Sequence, residues 1–146
     1  MLTIEEGQHP DAAKLLHSIS DAKLEDVIIN IGPVDMKHVP DLYNQCDALL
    51  MPTLLESYGL TYVEAFFNEK LIFTSNLDFA QDVCQDAAVY FDPYDHKSIF
   101  DSLVATVGDE ELKSLLIENG KSLLGKLNSW DEVFSKYNRI IDNYLN

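Results

Sequence analysis

The sequence predicts an α/β fold: a Rossmann-like, doubly wound parallel sheet of about five strands with a C-terminal helical cap, forming one domain over residues 1–146. Three observations lead there. Short apolar runs rich in β-branched residues alternate with longer segments of helical periodicity, as βα units require. Two of those runs, Val27-Ile28-Ile29 and Ala48-Leu49-Leu50-Met51, are continuous rather than alternating, as expected of strands covered on both faces. Beyond Pro93 the alternation stops, and only helical periodicity remains.

Taken in order, the first predicted strand covers residues 2–4. Pro10 suits a first helical position, and Leu15, Leu16 and Ile19 then share one face of the helix it opens. A strand over residues 27–31 follows, then a helix on which Val39, Leu42, Tyr43 and Cys46 repeat the same spacing. Residues 48–51 form the third strand, and Pro52 ends it. A helix from about Leu60 to Asn68, a strand over 71–74, a short helix over 79–84 and a strand over 88–91 complete the alternating part. Residues 98–107, 110–127 and 129–144 are the three helices of the cap.

The 47% hydrophobic content supports a packed core and argues against disorder. No stretch reaches the roughly 18 consecutive apolar residues of a membrane span, and Glu5, Glu6 and Asp11 interrupt the N-terminal segment in a way no signal peptide does. A cytoplasmic location is expected, with peripheral membrane contact left open for an intact enzyme. Cys46 and Cys84 lack CxxC or CxxH spacing, so they are read as buried thiols rather than as a zinc site or a disulfide. Twenty-five acidic residues against ten basic ones give a formal net charge of −15, a field that repels phosphate backbones and excludes nucleic-acid binding.

The segment that carries chemistry runs from Ala48 to Ala65: a strand stopped by Pro52, a loop with one glycine, and a helix. In an open parallel sheet, ligands bind outside the carboxyl ends of the strands, where this loop lies. A helix starting near Gly59 and Leu60 offers backbone N–H groups and a positive dipole end, suited to a diphosphate. Gly59 allows close backbone approach and a positive φ. Glu56 in the loop and Glu64 in the helix flank that end, and a carboxylate accepts hydrogen bonds from a vicinal diol such as a ribose or hexose edge. With 25 acidic residues in the chain, two glutamates at this spacing also arise by chance as a solvated loop charge and a helix-start charge, so the surrounding residues must decide.

Those residues resemble the signature of retaining glycosyltransferase family 4 (glycosyl transferases group 1), whose members have the GT-B fold. The run from Asp41-Leu42-Tyr43 through Cys46-Asp47-Ala48 to Met51-Pro52-Thr53, followed by Glu56-Ser57-Tyr58-Gly59-Leu60 and Glu64-Ala65, is similar to it, with both glutamates at the E-x7-E positions. The likeness begins at Ile31-Gly32-Pro33-Val34 and continues through Ile72-Phe73-Thr74-Ser75-Asn76 and Ala87 to Asp95. It implies the C-terminal, donor-binding half of a GT-B enzyme that moves a sugar from a nucleoside diphosphate sugar to an acceptor hydroxyl with retention, in polysaccharide biosynthesis. By the same resemblance, Glu56 is the catalytic residue and contacts the donor sugar, and Glu64 holds the ribose. Tyr58, Gly59, Leu60 and Thr61 complete the donor-binding set, and Pro33 and Val34 border the nucleobase. The donor is a substrate, so no cofactor and no metal is implied.

The turn after the motif helix departs from the family pattern, reading Asn68-Glu69-Lys70 where glycine is usual; Asn68 is expected to take the left-handed conformation. The resemblance also implies that an N-terminal acceptor domain, and the strand and helix that carry the donor-contacting cations, stand outside this chain. No Lys or Arg occurs between His38 and Glu69, and a helix dipole contributes only about 0.3–1 kcal/mol per exposed charge. The isolated chain is therefore expected to bind nucleotide weakly and to be inactive.

His9, His17, His38 and His96 have no ligand spacing, and Ser57, Ser75 and Ser129 have no His/Asp partners or GxSxG elbow. Trp130 is read as packing rather than sugar stacking. With Val133, Phe134, Tyr137, Ile140 and Ile141 it forms a helical stripe that in the family often crosses back to the N-terminal domain, and that could here drive self-association. The alternatives are a small α/β regulatory or nucleotide-binding module such as a receiver domain, whose fifth-strand lysine is missing here, and a GT-B epimerase or phosphorylase.

Overall fold

A computed structural model describes residues 1–145. By contact the chain falls into two compact units, Met1–Leu42 and the remainder from Tyr43 on, where the sequence reading takes one domain.

The first unit holds α1 (Pro10–Asp21), two 3-10 turns (Glu6–Gln8 and Met36–His38) and the start of α2 (Val39–Asn44), within which the division falls. Pro10 occupies the first turn of α1, where its missing N–H costs nothing, and the His9 ring accepts from the Asp11 N–H. Ala12 and Ile19 are its buried residues. The strands expected over residues 2–4 and 27–31 shrink to a single parallel bridge, Leu2 with Asn30. Val27 instead turns, its N–H reaching the Leu24 carbonyl, and it is 76% exposed. Asn30 supplies side-chain hydrogen bonds to both the N–H and the carbonyl of Ile4, both 3.0 Å, where a ladder would have used backbone groups.

The second unit contains a three-stranded parallel sheet, not the five strands expected, in the order β1 (Ala48–Met51), β2 (Leu71–Ser75), β3 (Val89–Phe91). Ala48 pairs with Leu71 and Phe73 with Val89. α3 (Leu60–Phe67) joins β1 to β2 and α4 (Asp78–Cys84) joins β2 to β3, each a right-length βαβ crossover. β2 is buried at every position, and its alternation serves two cores. Ile72 faces Tyr62, Ala65 and Phe66 of α3 and Ala80 and Cys84 of α4. Leu71 and Phe73 face Leu116 of α6 (Glu110–Leu124) and Ile99 and Leu103 of α5 (His96–Val107). Helices on both faces bear out the doubly wound α/β expectation. β1 is covered less fully, with Leu50 47% exposed.

The cap is realised by α5 and α6, whose N-caps Asp95 and Asp109 accept from the N–H groups of Lys97 and Leu112. α7 (Trp130–Leu145) does not join it: none of its residues is buried, and Trp130, read as packing, is 86% exposed. Cys84 is buried, as expected, and burial pushes its thiol up to about 12, whereas Cys46 is only half-buried. The left-handed turn after α3 also differs. Asn68 has φ −91° and uses its side-chain amide on the Glu64 carbonyl at 2.7 Å, and Glu69 takes the positive φ of 55° instead. No described helix is long and apolar enough to cross a membrane.

Candidate functional site

α3 begins where β1 and its loop have delivered the chain past the carboxyl end of the sheet. Its N-cap is Gly59, buried and left-handed at φ 72° and ψ 61°, with no side chain capping the helix. The first N–H groups of any α-helix have no partner within it, so those of Leu60 and Thr61 face out of this end. Both residues are exposed, Leu60 at 68%. A Cβ added to Gly59 would stand 2.5 Å and 2.6 Å from ring carbons of Tyr62 and 3.4 Å from Glu56 Cγ. Glycine is thus required twice at this point, by conformation and by space.

The same contact places Glu56 beside the helix end. Its carboxylate is half-buried and accepts the Ser57 N–H at 3.0 Å, a bond that fixes the loop without exhausting two oxygens. Glu64 lies one turn into α3, on the face it shares with Leu60 and Thr61. The Tyr43 hydroxyl lies between the Thr61 carbonyl (3.2 Å) and a Glu64 carboxylate oxygen (3.4 Å). Burial, then the neighbouring Glu64 charge, drives the Tyr43 pKa well above the usual phenol range, so Tyr43 stays a neutral donor toward that carboxylate.

The structure therefore brings together Glu56, Gly59, Leu60, Thr61 and Glu64 around one helix end. Tyr58, half-exposed, lines a hollow of about 160 Å³ with Val63, Phe66, Val83, Leu123 and Lys126. Pro33 and Val34 lie in the first unit, between Gly32 (φ 72°) and the turn opened by Asp35. Sequence reading gave no site role to Tyr43, which the fold sets against Glu64, and did not single out Lys126, which lines the hollow beside Tyr58. Tyr43 carried a signal, standing on the helical stripe before β1. Lys126 carried none, because 62 positions separate it from Glu64 and only the fold brings it to the hollow that Tyr58 lines. Among the described residues no cluster of His, Cys, Asp and Glu could hold a metal ion.

Residues 6–123 match the family model described as "Glycosyl transferases group 1". The chain belongs to that family. This group 1 chain is 28% identical over 134 residues to the capsular polysaccharide biosynthesis glycosyltransferase CapM of Staphylococcus aureus, covering 86% of this chain and 35% of CapM. It is 27% identical over 92 residues to the O-antigen chain mannosyltransferase RfbU of Salmonella typhimurium, covering 63% of this chain and 26% of RfbU. It thus spans about a third or less of the length of these relatives. Among solved structures it superposes on a sucrose-phosphate synthase from Thermosynechococcus elongatus with a TM-score of 0.82, at 14% identity, over 99% of this chain and 37% of the other. A glycosyltransferase from Rickettsia africae gives 0.80 at 18% identity, over 97% and 38%. At those identities the superpositions speak for the fold alone. The receiver-module alternative is set aside, because the group 1 match takes in all three strands and the E-x7-E segment.

Proposed function

We propose that this chain is the donor-binding part of a retaining group 1 glycosyltransferase that moves a sugar from a nucleoside diphosphate sugar to an acceptor hydroxyl. One observation carries the reading: the end of α3 is opened by a buried left-handed Gly59, is capped by no side chain, and has a glutamate on either flank. The diphosphate sits on the N–H groups of Leu60 and Thr61, Glu64 holds the ribose with Tyr43 orienting its carboxylate, and Glu56 contacts the transferred sugar. Stabilising the departing diphosphate at the helix end is this chain's electrostatic share of catalysis. Relatives named for capsular polysaccharide and O-antigen chains support a role in building surface polysaccharide, on the cytoplasmic side where nucleotide sugars are made. The donor is a substrate, so no cofactor is proposed, and the N–H groups of the helix end rather than a metal ion are proposed to meet the charge of the departing diphosphate. The acceptor site and further cations for the donor phosphates are proposed to lie in the part of such an enzyme that corresponds to the rest of the relatives' length.

The test is an NMR titration of the chain with UDP-, GDP- and ADP-sugars at millimolar concentration. We expect weak binding, with amide shifts concentrated in residues 52–65. Shifts confined to other residues, or none with any of the three donors, would overturn the assignment.

A further inference from the structure

Tyr62, the third residue of α3, has no place in the donor contacts, yet it is completely buried at the centre of the site's scaffold. Its ring fills the space where a side chain at position 59 would stand, 2.5 Å from a Cβ built there, so Gly59 rests directly on the ring. Its hydroxyl lies 2.7 Å from Thr74 Oγ1, also completely buried, near the end of β2. Thr74 Oγ1 in turn donates to the carbonyl of Met51, the last residue of β1, at 3.3 Å. If Thr74 spends its proton on that carbonyl, the Tyr62 hydroxyl is the donor to Thr74, and the three groups form one directed chain. Every member is satisfied, and none of the described buried side-chain polar atoms lacks a partner. From the other side of α3, Thr61 Oγ1 reaches Met51 Sδ at 2.9 Å.

One phenol thus ties the carboxyl ends of two neighbouring strands to the residue whose left-handed backbone aims the first N–H groups of α3. A phenylalanine would fill the same volume and pack against the same core, but it could not fix the rotation of α3 about its axis relative to the strand ends. We propose that Tyr62 is a positioning residue of the donor site: its hydrogen bond to Thr74 holds Gly59, Leu60 and Thr61 in the geometry that receives the diphosphate. The inference rests on the donor-site reading for the ligand, but its mechanical half concerns the free chain alone.

The experiment compares the full chain with its Tyr62→Phe, Thr74→Val and Thr74→Ser variants. ¹⁵N relaxation is followed at Gly59, Leu60 and Thr61 and amide exchange at residue 62, whose N–H the Gly59 carbonyl accepts; Ile72 and Phe73 of β2 serve as the internal reference for both. UDP and GDP are then titrated beside uridine and guanosine. In Tyr62→Phe and Thr74→Val we expect ¹⁵N relaxation at residues 59–61 to show increased motion, and exchange of the residue-62 N–H, held by the Gly59 carbonyl at 2.9 Å, to accelerate about tenfold more than at the β2 reference, the scale of one lost hydrogen bond. Diphosphate affinity falls severalfold while nucleoside affinity holds, and Thr74→Ser, which keeps the hydroxyl, behaves as the parent does. Equal loosening at the helix end and at the β2 reference would reduce Tyr62 to ordinary core packing and overturn the proposal, as would unchanged relaxation at 59–61 with unchanged exchange at residue 62. A parent chain that binds neither diphosphate refutes the donor-site reading, and the exchange comparison still decides whether Tyr62 positions the helix end.

Discussion

Gln85 closes α4 at φ 47° and ψ −116°, a conformation that glycine adopts freely and L-residues avoid. Such backbone costs about 1–3 kcal/mol, while a glycine adds roughly 0.5–1 kcal/mol of unfolded-state entropy. The strain term wins, so Gln85→Gly is expected to stabilise the chain by about 1 kcal/mol in urea unfolding. The carbonyl of residue 85 would still accept the Tyr90 hydroxyl now held at 2.6 Å. At Glu69 the balance differs: a left-handed residue costs about 1–2 kcal/mol, but the Glu69 carboxylate also meets Lys121 at 3.0 Å, a surface pair the glycine would lose. Residue identity pointed to Glu56, Gly59 and Glu64 as candidates because the chemistry proposed for them is local to one loop and one helix end. It could not announce Tyr62, whose hydroxyl matters only through a partner twelve positions away on β2.

At the scale of elements, α3 and α6 cross at Gly120, where a Cβ would lie 2.7 Å from Phe66 Cδ1. Alanine is the better helix former by about 0.8–1 kcal/mol, but forcing a methyl against a ring only 4% exposed costs about 1–3 kcal/mol. Gly120→Ala is therefore expected to lower stability by about 1 kcal/mol; a higher urea midpoint would show that the crossing is looser than the geometry indicates. Helices were the elements most legible in the sequence, since caps such as Asp95 and Asp109 and the apolar spacing are written locally. The strands at 48–51, 71–75 and 89–91 were legible because each contains a short apolar run, Ala48 to Met51, Leu71 to Phe73 and Val89 to Phe91, between helical segments. The runs at 2–4 and 27–31 looked alike but became a lone bridge, because a strand exists only where a neighbour pairs with it along several residues.

For the whole molecule, the unresolved question of the sequence was what α7 does. Trp130, Phe134, Tyr137, Ile141 and Tyr144 follow one another at alternating four- and three-residue steps, and all are exposed. An apolar stripe of this length in water favours association, while the net charge of −15 opposes it. Salt screens the repulsion and leaves the apolar term in place. The isolated chain is thus expected to sediment as a mixture whose mean mass rises with both protein and salt concentration, and Trp130→Ser with Phe134→Ser to return it to monomer. Monomeric sedimentation of the parent across that range would refute self-association.

By itself the sequence determined the α/β class, the five helices α3 to α7 of the second unit to within a few residues, and the family, because periodicity, capping residues and the spacing of Glu56, Gly59 and Glu64 are local properties of the chain. Only the tertiary structure decided how many runs become strands, which residue takes the left-handed turn after α3, and that α7 is left uncovered. It alone also joined Tyr62, Thr74 and Met51 into one hydrogen-bonded chain beneath Gly59. Each of those depends on pairing or burial between groups far apart in sequence, and such energies do not exist until the chain has folded to bring the groups together.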